Sequence, residues 1–300
     1  MRAAPPRRAR CARRGRVAAP RAGAVTGRNV PRAQAASGAA AAVVADHKRD
    51  LVYGLHSVRA VIDRAPERLL ELWMAEPRQD ARARDLKERA LAAGLKVQMV
   101  GNESLAKLAG DVAHQGVVAS VRPLKPWDEE TLIASLNAVP DPLLLVLDGV
   151  TDPHNLGACL RTADAAGARA VILPKDRSAS VDAVARKVAA GAAEFVPVVP
   201  VTNLARALGR LKQSGIWVVG TDGEAEQPLY AADLNRPLAL VLGAEGEGMR
   251  RLTRDSCDFL VRIPMAGQVE SLNVSVAAGI ALFEARRQRV PELTKRGRNA

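Results

Sequence analysis

Five side chains of complementary chemistry fall in three polar islands between Leu143 and Arg286. Asn155 and Arg161 lie in Asp148-Gly-Val-Thr-Asp-Pro-His-Asn-Leu-Gly-Ala-Cys-Leu-Arg161. Glu245 lies in Gly243-Ala-Glu-Gly-Glu-Gly-Met-Arg250, and Ser271 and Asn273 lie in Ser271-Leu-Asn-Val-Ser275. A guanidinium, two carboxamides, a hydroxyl and a carboxylate can together grip an anion, orient a hydroxyl group and stabilise developing negative charge on oxygen. The glycine-rich island is not a phosphate cradle. It matches neither G-x-G-x-x-G nor the lysine-bearing P-loop, and Glu245 with Glu247 would repel a pyrophosphate at close range. Its glycines let the backbone turn tightly and approach a ligand, while its acids suit a neutral or cationic partner such as a sulfonium.

Each island also has a plainer reading. Asn155 can cap a helix through the amides of Leu156 and Gly157, leaving Arg161 as a solvated helix residue. Ser271 or Asn273 can cap the last helix without touching a ligand, and the glycine loop can be a turn with solvated acids. Three such islands, each at the end of a strand, favour one shared site over three coincidences. No metal chemistry is indicated. Cys11, Cys159 and Cys257 form no Cys-x-x-Cys pair and the four histidines show no ligand spacing, so the thiols read as reduced, packed side chains.

The elements that must position these islands alternate regularly. After Asp46, helices are predicted at His56 to Arg64, Asp80 to Ala93 and Glu103 to Ala109. Strands are predicted at Leu69 to Ala75, Lys96 to Val100 and Gly116 to Val121, which makes a small α/β unit. Pro123, Pro126, Pro140 and Pro142 bracket a linker at 124–142 with a short helix at Glu129 to Asn137. A second domain from 143 onward predicts strands at Leu143–Leu147, Ala170–Leu173, Phe195–Val199, Ile216–Gly220, Leu238–Leu242 and Phe259–Ile263. Its helices are predicted at Leu156–Ala166, Val181–Ala190, Leu204–Gln213 and about Leu272–Arg289. The strands are nearly continuous apolar runs, as in a parallel sheet covered by helices on both faces, where ligands sit beyond the carboxyl ends of the strands.

Composition sets the frame. Nearly half of the 300 residues are apolar, enough for two ordinary domains. The net charge of +12 is misleading, because residues 1–45 hold ten Arg and no acid, leaving 34 basic against 32 acidic residues downstream. That Arg/Ala-rich start lacks any pattern able to bury a core and is expected to be disordered. It reads as a non-functional extension, an RNA-tethering tail or an organellar transit sequence. Any RNA contact of the core must come from local clusters, of which Arg78, Arg82, Arg84 and Lys87 are one, although the interspersed acids favour a solvated face. No segment is long and apolar enough to span a membrane.

In order, composition and context the three islands resemble the signature motifs of the SpoU (TrmH) RNA 2′-O-methyltransferases, a branch of the SPOUT superfamily. The match extends over residues 51 to 289. It includes Tyr53-Gly-Leu-His-Ser-Val58 and His114-Gln-Gly-Val-Val118, which look like an amino-terminal RNA-binding domain similar to a ribosomal-protein fold. The resemblance implies a trefoil-knotted SPOUT domain at 143–300, preceded by an RNA-binding domain at 46–123. The site it implies has Asn155, Arg161, Glu245, Ser271 and Asn273 as catalytic residues, with Arg161 central. S-adenosylmethionine is implied as cofactor, held by Thr221, Leu242, Gly243, Ile263, Met265 and Leu272. Also implied are homodimers, a substrate guanosine in large-subunit rRNA, and the bacterial cytoplasm, or an organelle if residues 1–45 are a transit sequence. The alternatives are methylation of tRNA or of another rRNA nucleotide, and a catalytically silent RNA-binding or ribosome-assembly protein.

The reaction so implied has demands of its own. A ribose 2′-hydroxyl is a poor nucleophile and must be placed in line with a methyl donor and relieved of its proton. Positioning of this kind can supply roughly 7 to 11 kcal/mol. Arg161, with a pKa above about 12, is better suited to gripping a phosphate and stabilising the alkoxide than to taking the proton. Glu245 would then hold Arg161 or a backbone amide in place.

Overall fold

Leu143–Asp148 (β5) is buried at every position, and its side chains alternate between two cores. Leu143, Leu145 and Leu147 face one side of the sheet; Leu144 and Val146 face the other. A strand with both faces covered has no polar side to show, which is why the sequence here reads as an unbroken apolar run. The protein is described by a computed structural model for residues 49–76, 80–110 and 112–290. The expectations for residues 1–45, Cys11 and Arg78 lie outside these described residues.

Around β5 a seven-stranded, all-parallel sheet is ordered β7-β6-β5-β10-β8-β11-β9. Its other strands are β6 (Ala170–Pro174), β7 (Val198–Val201), β8 (Trp217–Thr221), β9 (Gln227–Pro228), β10 (Leu238–Gly243) and β11 (Phe259–Arg262). On one face pack α5 (Pro153–Ala166), α6 (Ala183–Val188) and α9 (Val274–Arg289); Cys159, Leu160, Ala163, Ala278, Ala281 and Leu282 fill that core. On the other face lie α4 (Glu129–Leu136) and α7 (Leu204–Gln213), through Leu132, Leu136, Leu208 and Leu211. The helix of the linker therefore belongs to the large domain's second layer. Arg210 reinforces it by donating to Glu129 and Glu130.

The small domain is a four-stranded sheet in the order β1-β4-β2-β3. It consists of β1 (Asp50–Tyr53), β2 (Leu69–Ala75), β3 (Val97–Val100) and β4 (Val117–Val121), with α1 (Leu55–Arg64), α2 (Ala81–Ala92) and α3 (Asn102–Ala109). Asp80 caps α2 by accepting from the Ala83 amide at 3.0 Å. The two fragments noted in the sequence meet here. The Gly54 amide donates to the Val117 carbonyl, and His114 Nδ1 accepts from the Gly116 amide at 3.1 Å, so His114 is satisfied within its own turn.

Of the strands and α-helices, β1, the two-residue β9 and α8 (Arg251–Asp255) escaped the sequence reading, as did the 3-10 turns at Pro66–Arg68, Ala192–Glu194 and Leu229–Ala231. All are too short to show a period. One strand was misplaced. The Phe195–Val199 run becomes β7 at Val198–Val201, because Ala192–Glu194 forms a 3-10 turn and Phe195 leaves the sheet to pack on the small domain's core. β7 is an edge strand, where Pro200 costs no ladder bond.

A buried charge cluster joins the domains. Glu194, almost fully buried, accepts from Arg68 of the small domain at 3.1 Å and from Arg186 of α6 at 2.6 Å, and Arg186 also reaches Asp50. Beside it a Cβ on Gly191 would stand 2.8 Å from the Ala60 side chain, so only glycine lets α1 approach this closely.

Candidate active site

The helix after β5 starts earlier than the sequence suggested. Asp152, not Asn155, is the cap: it accepts from the His154 amide at 3.0 Å, and Pro153 occupies the first helical position. Asn155 is thereby released from capping and sits in the first turn of α5. Its Nδ2 donates to Glu245 Oε1 at 3.2 Å.

Glu245 reaches that point because its loop is a tight hairpin. Ala244 and Gly248 exchange both backbone hydrogen bonds, with Gly246 and Gly248 at φ of 79° and 68°. A Cβ on Gly243 would fall 2.0 Å from the Gly248 carbonyl carbon, so the loop closes over β10 only with glycine there. The far side of the hairpin is tied to β5 by Asp148. This buried carboxylate accepts from the Arg250 amide at 2.8 Å and pairs with the Arg250 guanidinium at 3.4 Å. Sequence reasoning did not assign Asp148 this role. The available signal was an acid closing an otherwise apolar buried strand.

The third island arrives from the amino end of α9. Asn273 caps this helix, its Oδ1 accepting from the Ser275 amide at 2.9 Å. Its Nδ2 donates to Asn155 Oδ1 at 2.9 Å and also to Glu245 Oε1. The same carboxylate oxygen accepts from the Val274 amide at 3.2 Å. Capping and cluster formation are therefore both true of Asn273, through opposite ends of one carboxamide. Of the two partners expected for Glu245, the backbone amide is the one observed.

The cluster borders a cavity of about 810 Å³, lined by Glu245 and Ser271 and by all six residues expected to hold the cofactor: Thr221, Leu242, Gly243, Ile263, Met265 and Leu272. Four acids face it, Asp222, Glu224, Glu245 and Glu270, against one cation, Arg262. Arg262 is occupied with the Ala225 and Glu226 carbonyls, and Asp222 is paired with Arg254 at 2.6 Å. A cavity of this size with an acidic bias fits a drug-sized ligand carrying a sulfonium and an ammonium.

Arg161 is not part of the cluster within one chain. It lies six residues beyond Asn155, which on a helix turns it about 120° away and about 9 Å along the axis. It is exposed, on a stripe with His154, Ala158 and Ala165, and among the described residues no hydrogen bond or ion pair engages it. Burial pushes both described thiols, Cys159 and Cys257, up to about 12, far from the thiolate form a nucleophile needs. Among the described residues no group of His, Cys, Asp and Glu could hold a metal ion, and no helix is long and apolar enough to cross a membrane.

A parallel sheet with a cofactor-sized cavity beyond its carboxyl edge, preceded by a separate α/β module, is the architecture of an α/β ligand-binding domain with an accessory domain ahead of it. The chain belongs to the SpoU rRNA methylase family. That family's model matches residues 142–283, and a model described as RNA 2′-O ribose methyltransferase substrate binding matches residues 51–127. The 23S rRNA (guanosine-2′-O-)-methyltransferase RlmB of Pseudomonas aeruginosa is 58% identical over 245 residues, covering 80% of this chain and 97% of that protein. The RlmB of Haemophilus influenzae is 56% identical over 240 residues, covering 80% and 98%. A crystal structure of an RNA 2′-O ribose methyltransferase superposes with a TM-score of 0.64 at 30% identity, covering 81% of this chain and 89% of that one. The SpoU methyltransferase AviRb of Streptomyces viridochromogenes, in complex with the cofactor AdoMet, gives 0.65 at 26% identity, covering 81% and 91%.

Proposed function

We propose that this protein transfers the methyl group of S-adenosylmethionine to the ribose 2′-oxygen of a guanosine in 23S rRNA. The observation that carries the reading is the convergence of Asn155, Glu245 and Asn273, from three distant segments, at the rim of the acid-lined cavity. The specific target rests on similarity to the RlmB proteins over nearly their whole length. Bound in that cavity, the cofactor supplies an electrophilic methyl group. Thr221, Leu242, Gly243, Ile263, Met265 and Leu272 would hold it, and the acidic lining favours its positive charge.

The chain's own residues do the rest by positioning. Glu245 Oε1 fixes both carboxamides and the first amide of α9, so the polar groups that meet the ribose are oriented before substrate arrives and need not reorganise. Ser271, on the cavity wall, and the two asparagines orient the hydroxyl. Arg161 grips the adjoining phosphate through its planar fork and stabilises the negative charge that develops on the 2′-oxygen as the O–CH3 bond forms, the S–CH3 bond breaks and the hydroxyl proton passes to solvent water. We further propose that Arg161 meets the cluster of a second copy in a homodimer. The α5/α9 face that carries it also exposes Val276 at 50% and Phe283 at 49%, side chains that a partner would cover. The same reading includes the trefoil knot at the carboxyl end, and action in the compartment where large-subunit rRNA is made.

Mapping ribose methylation on 23S rRNA in cells lacking the protein tests the reading. One guanosine should lose its 2′-O-methyl group and regain it on complementation. An unchanged 23S map together with a missing methyl group in tRNA would transfer the activity to tRNA.

A further inference from the structure

A second cavity, about 970 Å³, opens at the opposite end of the large sheet, where the amino ends of β5, β6 and β7 meet the small domain and the linker. Leu143 borders this cavity and Leu242–Gly243, paired with Leu147–Asp148, border the other. The two openings are thus separated by about one strand length, roughly 17 Å. The chain from Asp46 onward is nearly neutral, yet this cleft is lined by six cations, Arg64, Lys125, Arg169, Arg186, Arg286 and Arg289, and only two acids, Asp141 and Asp164.

Existing ion pairs account for only two of the six cations. Arg64 is held by Asp164 and Arg186 by Glu194. Among the described residues, Lys125, Arg169, Arg286 and Arg289 have no carboxylate within ion-pair distance. Arg289 donates instead to the carbonyls of Leu234, Asp141 and Arg236. Burial holds its guanidinium below the usual range; Asp141 works the other way, and neighbouring Arg286 adds repulsion. The Arg169 Nε is buried with no acceptor among the described residues, while its guanidinium lies 5.0 Å over the Trp127 ring. Arg64 lies 3.9 Å over Phe195 on the same wall.

We propose that this cleft is a second RNA contact, taking a single-stranded segment of the substrate that flanks the target nucleotide. Its cations come from separate elements around a volume far larger than one phosphate, which suits repeated phosphates; Arg64 and Arg169, each propped on an aromatic ring, offer guanidinium groups against which an unpaired base can pack. Arg64, Lys125 and Trp127 also lie within residues 51–127, the span matched by the substrate-binding family model. The inference rests on the reading that the substrate is RNA.

The test is the salt dependence of binding to a 23S rRNA transcript, measured on the full chain. Each single-strand phosphate contact contributes about 0.7 to the slope of log K against log salt. A Lys125→Gln/Arg286→Gln variant should therefore lose about 1.4 from the slope, while calorimetry shows unchanged S-adenosylmethionine affinity. An Arg82→Gln/Lys87→Gln variant removes the same charge from the exposed face of α2 and should leave the slope nearly unchanged. Equal losses in both variants, or none in the first, overturn the site. If the first variant keeps its RNA slope but loses binding to poly-L-glutamate, the cleft belongs to an acidic protein and the proposal fails. Wild-type protein that binds the cofactor but no RNA would sink the functional reading itself, a result distinct from either.

Discussion

The two ends of the large sheet carry opposite charge. Beyond the carboxyl ends of the strands, four acids face one cation around a cavity of about 810 Å³; beyond the amino ends, six cations face two acids around one of about 970 Å³. Net charge conceals this segregation, since the chain downstream of the Arg-rich start is nearly balanced. Charge sorted along the strand axis lets one domain receive a cationic cofactor and a polyanionic substrate without either site repelling its own ligand. Two helices span the distance between the ends: α5 carries Asn155 in its first turn and Asp164 near its last, and α9, capped by Asn273, ends at Arg289.

The strongest challenge to this contrast is to damage one end and watch the other. Removing the carboxylate in Glu245→Ala unties both asparagines and the start of α9. Turnover should fall by about 100-fold or more, with the salt slope of RNA binding unchanged; a change in slope would mean the ends are not separable. Gly243→Ala drives a Cβ into the Gly248 backbone and should abolish cofactor binding in calorimetry. Retained affinity would show that the hairpin does not shape the pocket. Arg161→Lys keeps the charge but not the fork, so kcat should drop by about tenfold or more if bidentate phosphate contact matters. Near-normal turnover would reduce Arg161 to a point charge.

The domain junction gives a test of stability rather than catalysis. Glu194→Gln leaves Arg68 and Arg186 facing each other without their shared carboxylate. The expected cost is about 3 kcal/mol in denaturant unfolding, the cationic cleft being affected before the acidic cavity. The smallest effect is chemical: with both thiols raised to about 12, Cys159 and Cys257 should resist iodoacetamide in the folded protein at pH 8 and react once unfolded. Labelling of either under native conditions would reveal local opening of the core it occupies.

The long elements were legible for two reasons: α5 and α9 bury one face and so repeat at the helical spacing, whereas β5 and β10 are covered on both faces and read as unbroken apolar runs. Asp50–Tyr53, Gln227–Pro228 and Arg251–Asp255 are too brief to show either pattern, and Phe195 misled because an apolar residue satisfied by the neighbouring domain looks like one satisfied by the sheet. At the site, Glu245, Asn155 and Asn273 stood out by residue type and by their place after strands. The plainer reading of Asn155 as the cap of α5 fell to Asp152, since Asp152, Asn155 and the intervening Pro153 offer competing starts and only the folded helix chooses. The cationic cleft was invisible: Lys125, Arg169 and Arg286 are far apart in sequence and each looks like an ordinary solvated side chain.

The amino-acid sequence by itself determined the alternation of strands and helices, the parallel sheet and the identity of the three polar islands, because these follow from local period and residue chemistry. Tertiary structure decided which groups meet. It joined Asn155, Glu245 and Asn273 through a single carboxylate oxygen, turned Arg161 out of that cluster, and gathered cations from five segments at the far edge of the sheet. The physical reason is that a hydrogen bond or an ion pair acts over a few ångströms in space, a distance that separation along the chain does not report.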